Sequence, residues 1–279
     1  MYIDKIIKEA IAEDVGVGDY TSLSTIPKEA QATAKLVIKE AGILAGVDIA
    51  KKVFEVVDSD VEFIKKIEDG VAVDIGDIVF KVKGSAISIL TAERLALNFM
   101  QRMSGIATNT NKYVKLLKGT YTKVLDTRKT TPLLRELEKY SVKVGGGENH
   151  RFALYDMIMI KDNHIDFAGG IIPAIKSCNK YLADNKLNLK IEVEVRNLTE
   201  VIEVLQCSGV DRIMLDNFTP SEIEDALLLI DGIYETEASG GITEETIRAY
   251  AETGVDFISV GALTHHIKSL DMSLVSDIG

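Results

Sequence analysis

Apolar positions along this chain recur with two spacings, and the mixture of the two changes partway along. In Met1–Ala12 the charged Asp4, Lys5, Lys8 and Glu9 sit among apolar residues at helical spacing, which predicts an amphipathic helix over 2–13 and not a secretion signal. Alternating runs at Ala34–Lys39 and Asp77–Lys83 predict short strands, with a helix at Val47–Val57 between them. Turns are marked by Asp14–Asp19, which holds Gly16 and Gly18, and by Gly42 and Gly46. A longer helical pattern begins at Thr91, where Leu95, Phe99 and Met103 follow at i, i+4 spacing. Ser104-Gly105 is expected to close it, before a second helix ending near Gly119.

After Tyr121 the texture becomes a series of short β-rich runs separated by helical stretches. The runs are Thr122–Asp126, Ser141–Val144, Asp156–Ile160, Lys190–Val195, Arg212–Leu215, Tyr234–Ala238 and Phe257–Val260. Strands alternating with helices predict successive βα units around a parallel sheet, and runs apolar throughout fit strands buried on both faces. Seven runs fall short of a closed eight-stranded barrel. The expected fold class is therefore α/β: an incomplete (β/α) barrel over 106–264, preceded by an N-terminal α/β domain over 1–105.

Composition adds limits. With 279 residues, 46% hydrophobic and 27% charged, the chain can bury one large core or a large and a small one. No apolar run approaches the roughly 20 residues that span a bilayer. Cys178 and Cys207 lack metal-ligand spacing and read as reduced thiols, so a cytoplasmic location and no membrane partner are expected. A net charge of −11 argues against nucleic acid as a partner. Its distribution is uneven: from Arg94 to Lys161, 13 Lys and Arg face 5 Asp and Glu, leaving 19 against 38 elsewhere. Lys112, Lys115, Lys118 and Lys123 fit a solvated helix face. The remaining cations gather at strand ends, as a pocket for a small, highly charged anion requires.

In a parallel barrel the chemistry collects where strands stop. Here the strand ends carry Thr127, Arg128 and Lys129, then His150 and Arg151, then Lys161. Crowded cations repel one another unless an anion lies between them, and guanidinium groups grip carboxylates and phosphates with two hydrogen bonds. Alternation along Lys190–Val195 puts Glu192 and Glu194 on one face, pointing into the barrel, with Asp216 at the end of a neighbouring strand. Glu192 is expected to pair with a neighbouring lysine; Glu194 and Asp216 suit a hard divalent ion such as Mg²⁺. Ser239-Gly240-Gly241, before a helix expected near Thr243, and Ser259-Val260-Gly261 offer backbone N–H groups and helix N-termini to a phosphate.

These residues resemble those of the quinolinate phosphoribosyltransferase family over nearly the whole chain. The segments that carry the resemblance are Ala12–Asp19, Glu93–Asn98 through Ser104–Ala107, Thr127–Pro132, Asn149–Arg151, Ile160–His164, Leu215–Phe218 and Glu237–Ile242. The resemblance implies an N-terminal α/β sandwich domain joined by C-terminal helices near 265–279, and an open barrel that carries the catalytic site. It implies phosphoribosyl transfer from phosphoribosyl pyrophosphate to quinolinate with decarboxylation, dependent on Mg²⁺, in a homodimer where Arg94 reaches the neighbouring subunit's site. Arg94, Arg128, His150, Arg151 and Lys161 would surround the quinolinate carboxylates, and Lys129 and Lys161 would face the second substrate. Glu194 and Asp216 would hold the metal, and Ser239, Gly240, Gly241 and Gly261 would cradle the 5-phosphate. Two readings compete with it: a phosphosugar aldolase or isomerase barrel with a Schiff base on Lys161, and a non-catalytic anion-binding relative linked to molybdenum uptake.

Overall fold

A computed structural model describes residues 2–276 and divides the chain into two compact units. The first comprises Met1–Asn111, Thr131–Gly146 and His266–Gly279, the second Lys112–Thr130 and Gly147–His265.

The first unit has strands β1 (Gln31–Ile38), β2 (Gly42–Ile43), β3 (Glu62–Lys65), β4 (Ala72–Val73) and β5 (Ile78–Ser85). β1 buries Ala34, Leu36 and Ile38 at every second position and pairs antiparallel with β5 on one side and with the strand Met272–Ser276 on the other. β3 extends this sheet from β5. Helix Val47–Val57 starts where the N–H groups of Gly46 and Val47 donate to the Asp69 carboxylate, at 2.8 and 3.0 Å, and buries Val47, Ala50, Val53 and Phe54. The expected strands and this helix agree with the structure.

Two expectations in this unit are corrected. Ser104-Gly105 does not end a helix, because Ala86–Leu116 is one continuous helix of 31 residues. The small residues serve packing instead: the Ser104 hydroxyl accepts the Ala45 N–H at 2.9 Å, and a Cβ on Gly105 would lie 2.3 Å from the Lys268 carbonyl oxygen. The expected C-terminal helices are absent from the described residues beyond His265; Met272–Ser276 is a strand, as its apolar–polar alternation at Met272, Ser273 and Leu274 favours. Residues 277–279 lie outside the described residues.

The second unit is a six-stranded, wholly parallel sheet: β6 (Lys123–Leu125), β7 (Ile158–Ile160), β8 (Ile191–Val195), β9 (Arg212–Asp216), β10 (Glu235–Ser239) and β11 (Phe257–Ser259). Their order is β6-β11-β10-β9-β8-β7, which leaves β6 and β7 as the ends of an incomplete barrel. The seventh expected run, Ser141–Val144, is the end of a helix, Arg135–Val144, which buries Leu137, Ser141 and Val142 at helical spacing within the first unit. In its place only Glu148 touches β6, through a single parallel bridge to Leu125. Register places Glu194, Met214 and Glu237 in one row across β8, β9 and β10, with Asp216 and Ser239 two residues further along the same face. Ile191, Val193 and Val195 alternate with the glutamates of β8 and are fully buried on the other face. Among the described residues no helix is long and apolar enough to cross a membrane.

Candidate active site

The ends of the six strands and the loops that follow them enclose a cavity of about 720 Å³, walled entirely by the second unit. Thr127, Arg128, Lys129, His150, Arg151 and Lys161 line it, as do Glu194, Asp216, Ser239, Gly240, Gly241, Ser259, Val260 and Gly261. Arg94 does not; it is an exposed residue of the long helix in the first unit. Lys112, Lys115, Lys118 and Lys123 are all exposed, but they share no helix face: Lys112 and Lys115 are on the helix Ala86–Leu116, Lys118 follows its end and Lys123 opens β6.

The cations converge on one cavity. The Nε–H of Arg128 is buried and has no acceptor. Burial and the charge of Arg128 both lower the pKa of Arg151, whose Nη1 donates to the Met157 carbonyl at 3.0 Å. A guanidinium whose charge is disfavoured by a second one beside it makes a site that gains from binding an anion. Lys129 is fixed through its backbone: its N–H donates to the Thr127 hydroxyl at 3.0 Å, and its carbonyl accepts from the Thr264 hydroxyl at 2.8 Å.

The carboxylates sit opposite. Glu194 was expected to be free of lysine, yet Lys161 Nζ donates to its Oε2 at 2.8 Å. Lys161 is on the next strand's loop and its side chain is 42% exposed, so it reaches across to the carboxylate from water. Burial first, and the Glu194 charge second, raise the pKa of Asp216, with Lys161 and a hydrogen bond from Asn217 acting against them. Two oxygen-bearing acids close enough to feel each other, facing an open cavity, are the donor set a hard divalent cation takes.

The small-residue turns depend on one asparagine. Asn217 has φ 58°, its Nδ2 donates to Asp216 Oδ2 at 2.7 Å, and its N–H donates to the Ser239 carbonyl at 2.8 Å. Gly240 has φ +99°, and a Cβ there would lie 2.2 Å from Asn217 Oδ1. The helix expected near Thr243 starts only at Ile247 and is short, and the helix after Gly261 is Ala262–His265. Any anion bound here meets turn N–H groups, and the helix dipole contributes less than the sequence suggested.

The cavity floor, which His150 and Glu237 line, is a charged layer that the sequence reading missed in part. Glu192 pairs with no lysine: its Oε2 is 2.8 Å from His150 Nε2, and Glu237 Oε2 is 3.4 Å from the same nitrogen. Arg212 Nη1 donates to Glu237 at 3.0 Å while its other nitrogens reach Glu235. The second ring nitrogen of His150, Nδ1, accepts the Arg151 N–H at 2.7 Å, and the His150 N–H donates to buried Asp126 at 2.9 Å. Burial opposes charge on His150, but hydrogen bonds and charges from Glu192 and Glu237 outweigh it and raise its pKa to about 9. Burial and the charge of Glu237 push Glu192 up to about 7. A backbone N–H aimed at Nδ1 needs a lone pair there, so the geometry favours the Nε2–H ring, with the extra proton on the Glu192 side of the 2.8 Å contact.

Met159, Met214, Asn217, Glu237, Ile242, Thr243, Ala262 and His265 also line the cavity and were not singled out from the sequence. Glu237 and Arg212 were findable, since each stands at an inward position on a strand that ends in a site residue, as Glu192 does.

Two family models match the chain: the N-terminal domain of quinolinate phosphoribosyl transferase over residues 19–104, and its C-terminal domain over 106–275. A chloroplastic, carboxylating nicotinate-nucleotide pyrophosphorylase of Arabidopsis thaliana is 49% identical over 289 residues, 98% of this chain and 82% of that one. A decarboxylating quinolinate phosphoribosyltransferase of Nicotiana tabacum, form 1b, is 46% identical over 287 residues, 98% of this chain and 81% of its own. Among solved structures, NadC from Streptococcus pyogenes superposes with a TM-score of 0.92 at 44% identity, covering 98% of this chain and 96% of that chain.

Proposed function

The chain belongs to the quinolinate phosphoribosyltransferase family, and from that premise we propose how its residues share the reaction. The enzyme transfers the phosphoribosyl group of phosphoribosyl pyrophosphate to the ring nitrogen of quinolinate and removes one carboxyl group. Nicotinate mononucleotide, pyrophosphate and CO₂ result, a step in NAD biosynthesis. The observation that carries the residue assignment is a buried Arg128 Nε–H without an acceptor, beside an Arg151 whose charge Arg128 disfavours, at a cavity that also holds a carboxylate pair. The Schiff-base reading does not account for it. A Schiff-base lysine needs a desolvated, weakly charged setting, and Lys161 is half-exposed and paired with Glu194.

Arg128, Arg151 and Lys161 bind the two carboxylates of quinolinate and turn its ring nitrogen toward the anomeric carbon. Lys129 and Lys161 face the diphosphate and stabilise the charge that grows on it as the C–O bond breaks. The ring nitrogen donates its lone pair to the anomeric carbon as pyrophosphate leaves, and much of the rate comes from holding the two reactants in register. The nitrogen, now a pyridinium, stabilises by its positive charge the electron pair left on the adjacent ring carbon when the carboxylate departs as CO₂. A proton from solvent then fills the vacated carbon. Ser239, Gly240, Gly241, Ser259, Val260 and Gly261 hold the 5-phosphate through turn N–H groups.

Mg²⁺ fits Glu194 and Asp216, two carboxylates facing the same space. When bound, such an ion neutralises charge on the leaving diphosphate. We also assign the enzyme a homodimer in which Arg94 completes the partner's quinolinate site. Support comes from exposed apolar residues of the first unit, Val17 at 89% and Tyr20 at 71%, and from the exposure of Arg94 itself. Two free cysteines support a cytoplasmic site of action.

The test is direct. Purified protein with quinolinate, phosphoribosyl pyrophosphate and Mg²⁺ should release pyrophosphate and CO₂ in equal amounts. Binding of quinolinate with no release of either product would support an anion-binding role and defeat this reading.

A further inference from the structure

Glu192, Glu237 and His150 are buried together at the cavity floor, which His150 and Glu237 line, the two carboxylates with no solvent exposure at all. Taking two acids out of water is expensive, and an apolar set of similar volume would serve stability as well or better. One oxygen of each, Glu192 Oε1 and Glu237 Oε1, is buried and unmatched. Their other oxygens are aimed at a single atom, His150 Nε2. Arg212, stacked 4.0 Å over the Phe257 ring, fixes Glu237 from the far side.

The three side chains are close enough to hold a metal ion, with ligand atoms within 4.8 Å of one another. The contacts argue otherwise. At 2.8 Å a ring N–H already lies between His150 and Glu192, and the Arg212 guanidinium donates to the Glu237 oxygen that faces the histidine. A ring proton and a guanidinium thus occupy the places a cation would take.

Following the chain of contacts upward leads to the substrate. Through Nδ1, the clamped ring takes the Arg151 N–H, and Asp126 takes the N–H of His150 itself. We propose that Glu192 and Glu237, backed by Arg212, are positioning residues that lock the His150 ring so that it sets the backbone of Arg151 and aims that guanidinium at the pyridine dicarboxylate. This rests on the assignment of Arg151 to quinolinate made above. It weights the substrates unequally: Glu192 acts on the His150 ring and through it on Arg151, while the Glu194–Asp216 pair is held by other contacts, and only Glu237 also meets a phosphate turn, at Ser259.

The experiment compares the full-length enzyme with Glu192→Gln and Glu237→Gln, which keep the side-chain volume. Steady-state kinetics are measured with each substrate varied in turn. KM for quinolinate should rise about tenfold in both, as when a charge-assisted hydrogen bond is weakened, while KM for phosphoribosyl pyrophosphate stays within about twofold in Glu192→Gln, the variant that leaves the Glu237–Ser259 contact alone and decides the selectivity. Equal losses for both substrates in Glu192→Gln, or none, would overturn the proposal. If the variants fail to fold, ¹⁵N-histidine NMR of the wild type, with His150 assigned from His150→Gln, decides. A proton on Nε2 supports the clamp, and an Nδ1–H ring with bare Nε2 overturns it, as does stoichiometric metal in the purified wild type. Should the wild type bind quinolinate without turnover, the activity assignment fails separately, and calorimetric quinolinate affinity replaces KM in the same comparison.

Discussion

Lys161 Nζ donates to Glu194 Oε2 at 2.8 Å, so the cation proposed for the substrates and the acid proposed for a metal neutralise each other across the cavity. On that assignment binding must break or share the contact. A divalent ion taken up by Glu194 would free Lys161 for the diphosphate and couple the two events. Glu194→Gln removes the acid and leaves Lys161 unpaired. The variant should need a higher Mg²⁺ concentration for half-maximal activity, about tenfold or more where a charged ligand becomes neutral. Its apparent affinity for phosphoribosyl pyrophosphate without metal should improve, because the freed lysine meets the phosphates. A Mg²⁺ titration of turnover, with calorimetric binding of the second substrate in chelator, measures both; an unchanged Mg²⁺ requirement refutes the coupling.

The charge of Arg128 lowers the pKa of Arg151 beside it, and the Arg128 Nε–H is buried without an acceptor. Arg128→Ala should therefore cut kcat/KM for quinolinate by on the order of a hundredfold or more, as the loss of a charged donor to a bound anion does. The fold should be as stable as before or slightly more so, since the deletion relieves repulsion. Kinetics and a thermal melt on the same preparation check this, and a large drop in Tm would show that the arginine is structural.

Most of the site was legible because it follows a rule of position. Strand-end residues in βα units face one mouth, so Arg128, Lys161, Asp216 and Gly241 could be gathered without knowing a single angle. What escaped was set by tertiary contact. Ser141–Val144 looks like a strand over four residues, but Leu137 and Ser141 bury one face of a helix that begins at Arg135. Gly105 looks like a helix end, and only the approach of the Lys268 backbone explains it. Glu192 was assigned a lysine partner because lysines are its neighbours in sequence; in space its neighbour is a histidine 42 residues away. His265 gave no signal beyond its place in the last βα loop, where a search confined to glycines passed over it.

The buried histidine makes stability depend on pH. Glu192 and Glu237 hold the pKa of His150 at about 9, above its ordinary value of 6.5, so the folded His150–Glu192 pair keeps a proton that the unfolded chain releases. This contribution is fully present below pH 6.5 and disappears as pH rises through about 9. Glu192, raised to about 7 from 4.5, acts with the same sign at lower pH, between those two values. Tm should fall steadily from pH 6.5 to 9.5, and the slope should flatten in Glu237→Gln. Melts across that range that show no slope in the wild type would remove the histidine's contribution.

Gly240 and Gly241 are adjacent, both with positive φ, yet they should respond differently to a methyl group. A Cβ on Gly241 meets nothing within 4 Å, so Gly241→Ala carries only the backbone penalty of φ +61°, about 1–2 kcal/mol. On Gly240 it would lie 2.2 Å from Asn217 Oδ1, and Asn217 cannot yield easily because it also holds Asp216. Gly240→Ala should lose more stability in urea unfolding and should raise KM for phosphoribosyl pyrophosphate. It should also raise the Mg²⁺ requirement through the displaced Asp216. Equal effects from the two alanines would separate Asn217 from the phosphate turn.

Arg94 is exposed on the long helix of the first unit, and the cavity's own walls come from the second. If a partner's Arg94 completes the quinolinate site, Arg94→Ala and Arg128→Ala are each nearly inactive alone. A heterodimer of the two holds one site that has lost both arginines and one that has lost neither. Random mixing makes half the dimers mixed, each with one intact site, so activity should recover to about a quarter of the wild type. Tagged subunits, refolded together and purified as confirmed heterodimers, should approach about half. If Arg94 acts within its own chain, every site in the mixture carries one lesion. Activity then stays at the level of the single variants, and confirmed heterodimers without recovery would exclude the shared site.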